Sequence, residues 1–107
     1  MLNPKIEQLL EFLKEDPNDT FTLYVLALEY EKNDPSTAGQ YYEKLLTDHP
    51  MYTATYYHAG KFYEKTGRKS TAETVYRKGI ELTFKEGKQK AYSELQNALN
   101  NLLYEED

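Results

Sequence analysis

Apolar residues recur along this chain at intervals of three and four, and the recurrence is interrupted at near-regular points by Pro, Gly, Asn and Asp. That spacing is the period of an amphipathic helix, and no segment shows the two-residue alternation of a strand. Ile6, Leu9, Leu10 and Leu13 form a stripe that predicts a helix over 4–15. Pro4 suits its first turn, where a missing N–H has no partner to lose. Asp16-Pro17-Asn18-Asp19 ends that helix, and Asn18 or Asp19 is placed to cap a second over 20–32, with Leu23, Leu26, Ala27 and Tyr30 on one face. A third starts at Ser36 or Thr37, carries Ala38, Tyr41, Tyr42, Leu45 and Leu46, and stops at Asp48-His49-Pro50. The fourth, over 52–66, turns Tyr56, Ala59, Gly60 and Tyr63 inward, and Gly67 fits a left-handed cap after it. The fifth, over 69–85, uses Ala72, Val75, Tyr76, Gly79, Ile80 and Leu82 and is broken by Gly87. The sixth, over 88–104, aligns Ala91, Leu95, Ala98, Leu99 and Leu102, and Glu105-Glu106-Asp107 follows as a solvated acidic tail. Six helices joined by short turns predict an all-α fold of antiparallel neighbours in a single domain, 1–107.

The pattern also repeats. Tyr30-Glu31-Lys32 returns as Tyr63-Glu64-Lys65, and Pro17, Thr20 and Tyr24 return as Pro50, Thr53 and Tyr57, all at an offset of 33. Beyond the turn the offset is 34: Ala38 with Ala72, Tyr42 with Tyr76, Lys44 with Lys78. One residue is therefore missing from the first copy between Tyr30 and Ala38, where a turn tolerates a deletion best.

This repeat length and its residues resemble the tetratricopeptide repeat (TPR) family. The first copy (20–50) shows Leu23, Leu26, Ala27, Tyr30, Ala38, Tyr42 and Pro50; the second (53–85) shows Tyr56, Ala59, Gly60, Tyr63, Ala72 and Tyr76. Leu23 stands in place of a bulky aromatic, Ala59 in place of Leu, and Phe84 where a terminal Pro is expected. The resemblance implies an α-α superhelix: a right-handed stack of helix hairpins, with 4–15 as a half repeat and 88–104 as a capping helix. Small residues at Ala27 and Gly60 would let paired helices approach closely.

The resemblance further implies a concave groove lined by the first helix of each pair. Carried over residue by residue, it assigns Phe21, Tyr24, Leu28 and Glu31 from the first copy, and Ala54, Tyr57, Lys61 and Lys65 from the second. Exposed aromatics beside charges offer rigid area with a polar handle, which suits a protein or peptide partner. The expected partner-binding residues are Phe21, Tyr24, Leu28, Tyr57, Lys61 and Lys65. Some family members clamp a C-terminal carboxylate with Lys and Asn along this groove. Tyr24, Leu28 and Tyr57 stand where such polar residues are expected, so a clamp of that kind is not anticipated.

Composition narrows the chemistry. Among 107 residues there are eleven Tyr, four Phe, no Cys and two His. The absence of Cys removes disulfides, a thiol nucleophile and every Cys-based zinc site. His58 has no carboxylate or hydroxyl at a useful sequence spacing, and no Gly-rich phosphate loop is present, so no enzyme, cofactor or metal is expected. No apolar run approaches a membrane span, and no secretory leader is recognisable, so a cytoplasmic location without membrane association is expected. The net charge of −5 and the lack of a binding motif argue against nucleic acid. Charge is nevertheless polarised. Residues 1–34 carry net −5 and residues 61–90 carry net +5. That asymmetry raises a second expectation, a self-associating scaffold whose stack is completed by another copy.

Overall fold

The computed structural model describes residues 3–104, so the acidic tail at 105–107 lies outside the described residues. It contains α1 (Pro4–Glu15), α2 (Thr20–Glu31), α3 (Pro35–Asp48), α4 (Ala54–Lys65), α5 (Lys69–Lys85) and α6 (Gln89–Leu103), with no strand among the described residues. The helices divide into two compact units, the first running to Tyr52 and the second beginning at Thr53.

In the first unit α2 and α3 form a hairpin closed around Leu23, Leu26, Ala27, Ala38, Tyr42 and Leu45, each fully buried. Burying a Leu side chain of this kind contributes roughly 1.5–3 kcal/mol. The α1 helix packs on α2 through Ile6, and Lys5 reaches Glu29 at 3.2 Å. Leu9, Leu10 and Leu13 of the α1 stripe are half-buried. Burial pushes the Glu29 carboxyl up, but hydrogen bonds from Lys32 and Lys5 outweigh it and hold the pKa below its ordinary value.

In the first unit each helix start is capped by a side-chain acceptor. Asn3 accepts from the Ile6 N–H at 2.8 Å, and Asp19 accepts from the Thr22 N–H at 3.0 Å. The start of α3 differs from the sequence expectation: Asp34 is the cap, Pro35 the first helical residue, and Asp34 accepts from the Thr37 N–H at 3.2 Å. Asp34 displaces Ser36 and Thr37 from that role because its carboxylate reaches both the N–H and the hydroxyl of Thr37. Hydrogen bonds from the Thr22 and Thr37 side chains, then from their amides, lower the pKa values of Asp19 and Asp34 below 3.8. A carboxyl lowered in the folded state is protonated first in the unfolded chain. Its stabilisation is present in full above 3.8 and is lost as pH falls through the folded value. Melting followed by circular dichroism is therefore expected to show a falling midpoint below about pH 4. The Asp19→Asn/Asp34→Asn variant, which still caps, should show a shallower fall.

The second unit comprises α4, α5 and α6. Tyr56, Ala59, Gly60, Phe62 and Tyr63 of α4 meet Ala72, Val75, Tyr76, Gly79 and Leu82 of α5, and Leu95, Ala98, Leu99 and Leu102 of α6 complete the core. Two glycines set the separations. A Cβ on Gly60 would stand 2.1 Å from the Tyr76 ring, and one on Gly79 would stand 2.6 Å from the Cβ of Tyr56. Gly67 is left-handed at φ 79°, and the Arg68 N–H closes back onto the Tyr63 carbonyl at 2.7 Å. The first hairpin closes from the Asp34 N–H to the Tyr30 carbonyl, also at 2.7 Å, with one residue fewer. The offset change from 33 to 34 falls at this turn. With Phe84 in place of a proline, α5 continues to 17 residues against 14 for α3.

Repeated residues make repeated bonds. Tyr42 donates to Glu31 at 2.7 Å in the first unit, and Tyr76 donates to Glu64 in the second. The Thr20 hydroxyl bonds His49 at 3.0 Å, and the Thr53 hydroxyl accepts from Lys88 at 2.9 Å. In both units a threonine beginning the first helix of a hairpin is thus tied to a residue just past the second.

Candidate functional site

The α4 helix can hide Tyr56, Ala59, Gly60 and Tyr63 only by turning Tyr57, His58, Lys61 and Lys65 to the other side. Tyr57 and Lys61 are one turn apart, and the Lys61 ammonium sits over the Tyr57 ring, 5.8 Å from its centroid. The His58 ring meets Tyr57 edge-on at 5.5 Å. Opposite them, α6 buries Leu95, Leu99 and Leu102, which leaves Glu94, Asn97 and Asn101 on the side facing α4. Together Tyr57, His58, Lys61, Glu94, Asn97 and Asn101 line an open cleft of about 400 Å³ floored by Ala98.

Of the residues expected from sequence, Tyr57 and Lys61 are brought together in this cleft, while Lys65 is exposed outside its lining. In the first unit, Phe21 is 62% exposed and Tyr24 and Leu28 are half-buried along α2. Tyr24 packs edge-on against Tyr52 at 5.5 Å and lies 6.5 Å from the Phe21 ring. Burial first, and Tyr52 second, raise the Tyr24 pKa. The Glu31 carboxylate is engaged by Tyr42.

Glu94, Asn97 and Asn101 were missed by the sequence reading, which followed the apolar stripe of the sixth helix. Their spacing of three and four was the available signal, since it places all three on one face. The cleft offers amide donors and acceptors, one carboxylate, one ammonium and an aromatic wall. No group of three or more His, Asp or Glu side chains converges on a common point among the described residues, and no described helix is long and apolar enough to cross a membrane.

The tetratricopeptide repeat family model matches residues 53–86. The solution structure of a tetratricopeptide repeat domain protein from Salinibacter ruber is 44% identical, covering 85% of this chain and 93% of that one, with a TM-score of 0.80. A crystal structure of a Salinibacter ruber tetratricopeptide repeat domain protein is 43% identical, covers 82% and 100% of the two chains, and gives a TM-score of 0.78. A Bordetella parapertussis protein, 22% identical over 98% of this chain and 91% of its own, shares the fold at a TM-score of 0.80. No curated protein matches the chain. The chain belongs to the tetratricopeptide repeat family. Its fold is that of a protein-interaction module, and domains of this family generally act as non-enzymatic scaffolds.

Proposed function

We propose that the protein binds a segment of another polypeptide in the α4–α6 cleft. The reading rests on one observation: Tyr57 and Lys61 from α4 face Asn97 and Asn101 from α6 across an open space of about 400 Å³. Asn side chains both donate and accept, so they can satisfy the backbone of a bound segment in any local conformation. Tyr57 supplies rigid contact area and Lys61 favours an acidic or carbonyl-rich stretch. Phe21, Tyr24 and Leu28 along α2 add a second aromatic surface of the same kind, and Lys65 adds charge near the end of α4.

Peptides selected from a random displayed library against the intact protein provide the test. In amide NMR spectra the selected peptides should shift Tyr57, Lys61, Asn97 and Asn101. The Lys61→Glu/Asn97→Ala variant should lose at least about tenfold in affinity, an effect on the scale of one good interface anchor. It should also melt within a few degrees of the parent, since both residues line the cleft rather than the core. Peptides that shift only residues elsewhere, with affinity untouched by the variant, would remove the cleft from the proposal.

A further inference from the structure

The cleft holds two opposite charges that do not meet. Lys61 on α4 is the ammonium of its lining and Glu94 on α6 is the carboxylate. Among the described residues neither forms an ion pair. Elsewhere in the same unit exposed charges do pair: Arg77 with Glu73 at 2.9 Å, Lys85 with Glu81 at 3.5 Å and Lys88 with Glu86 at 3.0 Å. The Lys61 ammonium rests instead over the Tyr57 ring of its own helix, 5.8 Å from the centroid. That contact uses the face of a ring and gives the three N–H donors no oxygen to bond. Glu94 is exposed, and so are Asn97 and Asn101 on the same wall.

We infer that the segment bound in the cleft is dipolar: it presents an acidic side chain to Lys61 and a basic side chain to Glu94. Both charges stand in one space of about 400 Å³, so their counterparts lie close together in the ligand. This rests on the proposed use of the cleft and adds the chemistry of its occupant. A purely acidic segment would meet Lys61 but set its remaining charge against Glu94. A purely basic one would meet Glu94 and crowd Lys61. Like charges brought together lower affinity, so the two walls select against both kinds of segment. Exposed ion pairs contribute little energy by themselves. The charges therefore decide which segment binds and in which orientation, while the Tyr57 ring and the two amides supply contact.

Peptides selected from a random displayed library on the full chain test it, with affinities measured at about 20 mM and about 500 mM salt. Those that shift the Tyr57 and Asn97 amide signals should be enriched in neighbouring acidic and basic residues. Replacing the acidic residue of such a peptide with alanine should weaken binding about threefold to fivefold at low salt, and less at high salt. Against Lys61→Gln the same replacement should change almost nothing, while replacing the basic residue should keep its full effect. Glu94→Gln should give the opposite result. These cycles read each charge against its own counterpart, and unchanged helicity confirms that both variants fold. Cleft-binding peptides that lack an acidic and basic pair, or losses that are the same on the parent and both variants, would overturn the inference and leave the cleft as a binding site. Selected peptides that shift no cleft residue would overturn both readings.

Discussion

Replacing Tyr76 with alanine should lower the unfolding free energy by about 3–5 kcal/mol, the range for emptying a buried aromatic site. Tyr76 is fully buried, its ring fills the space above Gly60, and its hydroxyl donates to Glu64. A small domain holds only about 5–15 kcal/mol in total, so this variant should be near the edge of folding. Tyr76→Phe keeps the ring and removes only the hydrogen bond to a carboxylate, for a loss of about 1.5 kcal/mol. Urea unfolding monitored by circular dichroism separates the two. A small loss in Tyr76→Ala would mean that the ring is not a core element. Burial, and then the bond to Glu64, raise the Tyr76 pKa well above 10.0. The neutral phenol is thus favoured in the folded state. Stability is full below the ordinary tyrosine value and falls as pH rises through it, because the unfolded chain ionises first. Tyr76→Phe should lessen that alkaline loss.

Gly60→Ala should destabilise by about 1–3 kcal/mol although alanine is the better helix former. The new methyl would lie 2.1 Å from the Tyr76 ring, a ring held at its far end by Glu64. The sign should reverse in a Tyr76→Ala background. With the ring removed, the three atoms nearest the methyl are gone, and the intrinsic preference of about 1 kcal/mol for Ala over Gly emerges. A double-mutant cycle in urea measures that coupling. Gly60→Ala and Tyr76→Ala losses that simply add would show that the helix separation is not set by this contact. Ala27, at the matching position of the first copy, is fully buried, so the requirement for glycine belongs to the second hairpin.

Six helices, their order and most of the core were legible because burial in a helix hairpin demands apolar residues at a fixed period. Asp16, Gly67 and Gly87 marked boundaries through backbone chemistry that operates within one turn. The Glu31–Tyr42 and Glu64–Tyr76 bonds were visible as repeated residues but not as bonds, since their partners are 11 and 12 residues apart across a turn. The degree of burial along the α1 stripe, where Leu9, Leu10 and Leu13 are half-buried, was not legible. Periodicity shows which face of a helix is apolar, but not how many neighbours arrive to cover it.

Family and architecture were therefore written in the sequence itself, through the 33- and 34-residue recurrence of small and aromatic positions. The cleft was decided by tertiary structure. Glu94, Asn97 and Asn101 are ordinary polar residues on a solvent-facing stripe until α6 packs against α4 and α5. Only then do they face Tyr57 and Lys61, because side chains more than a turn apart in sequence gain a shared surface only from the packing of the helices that carry them.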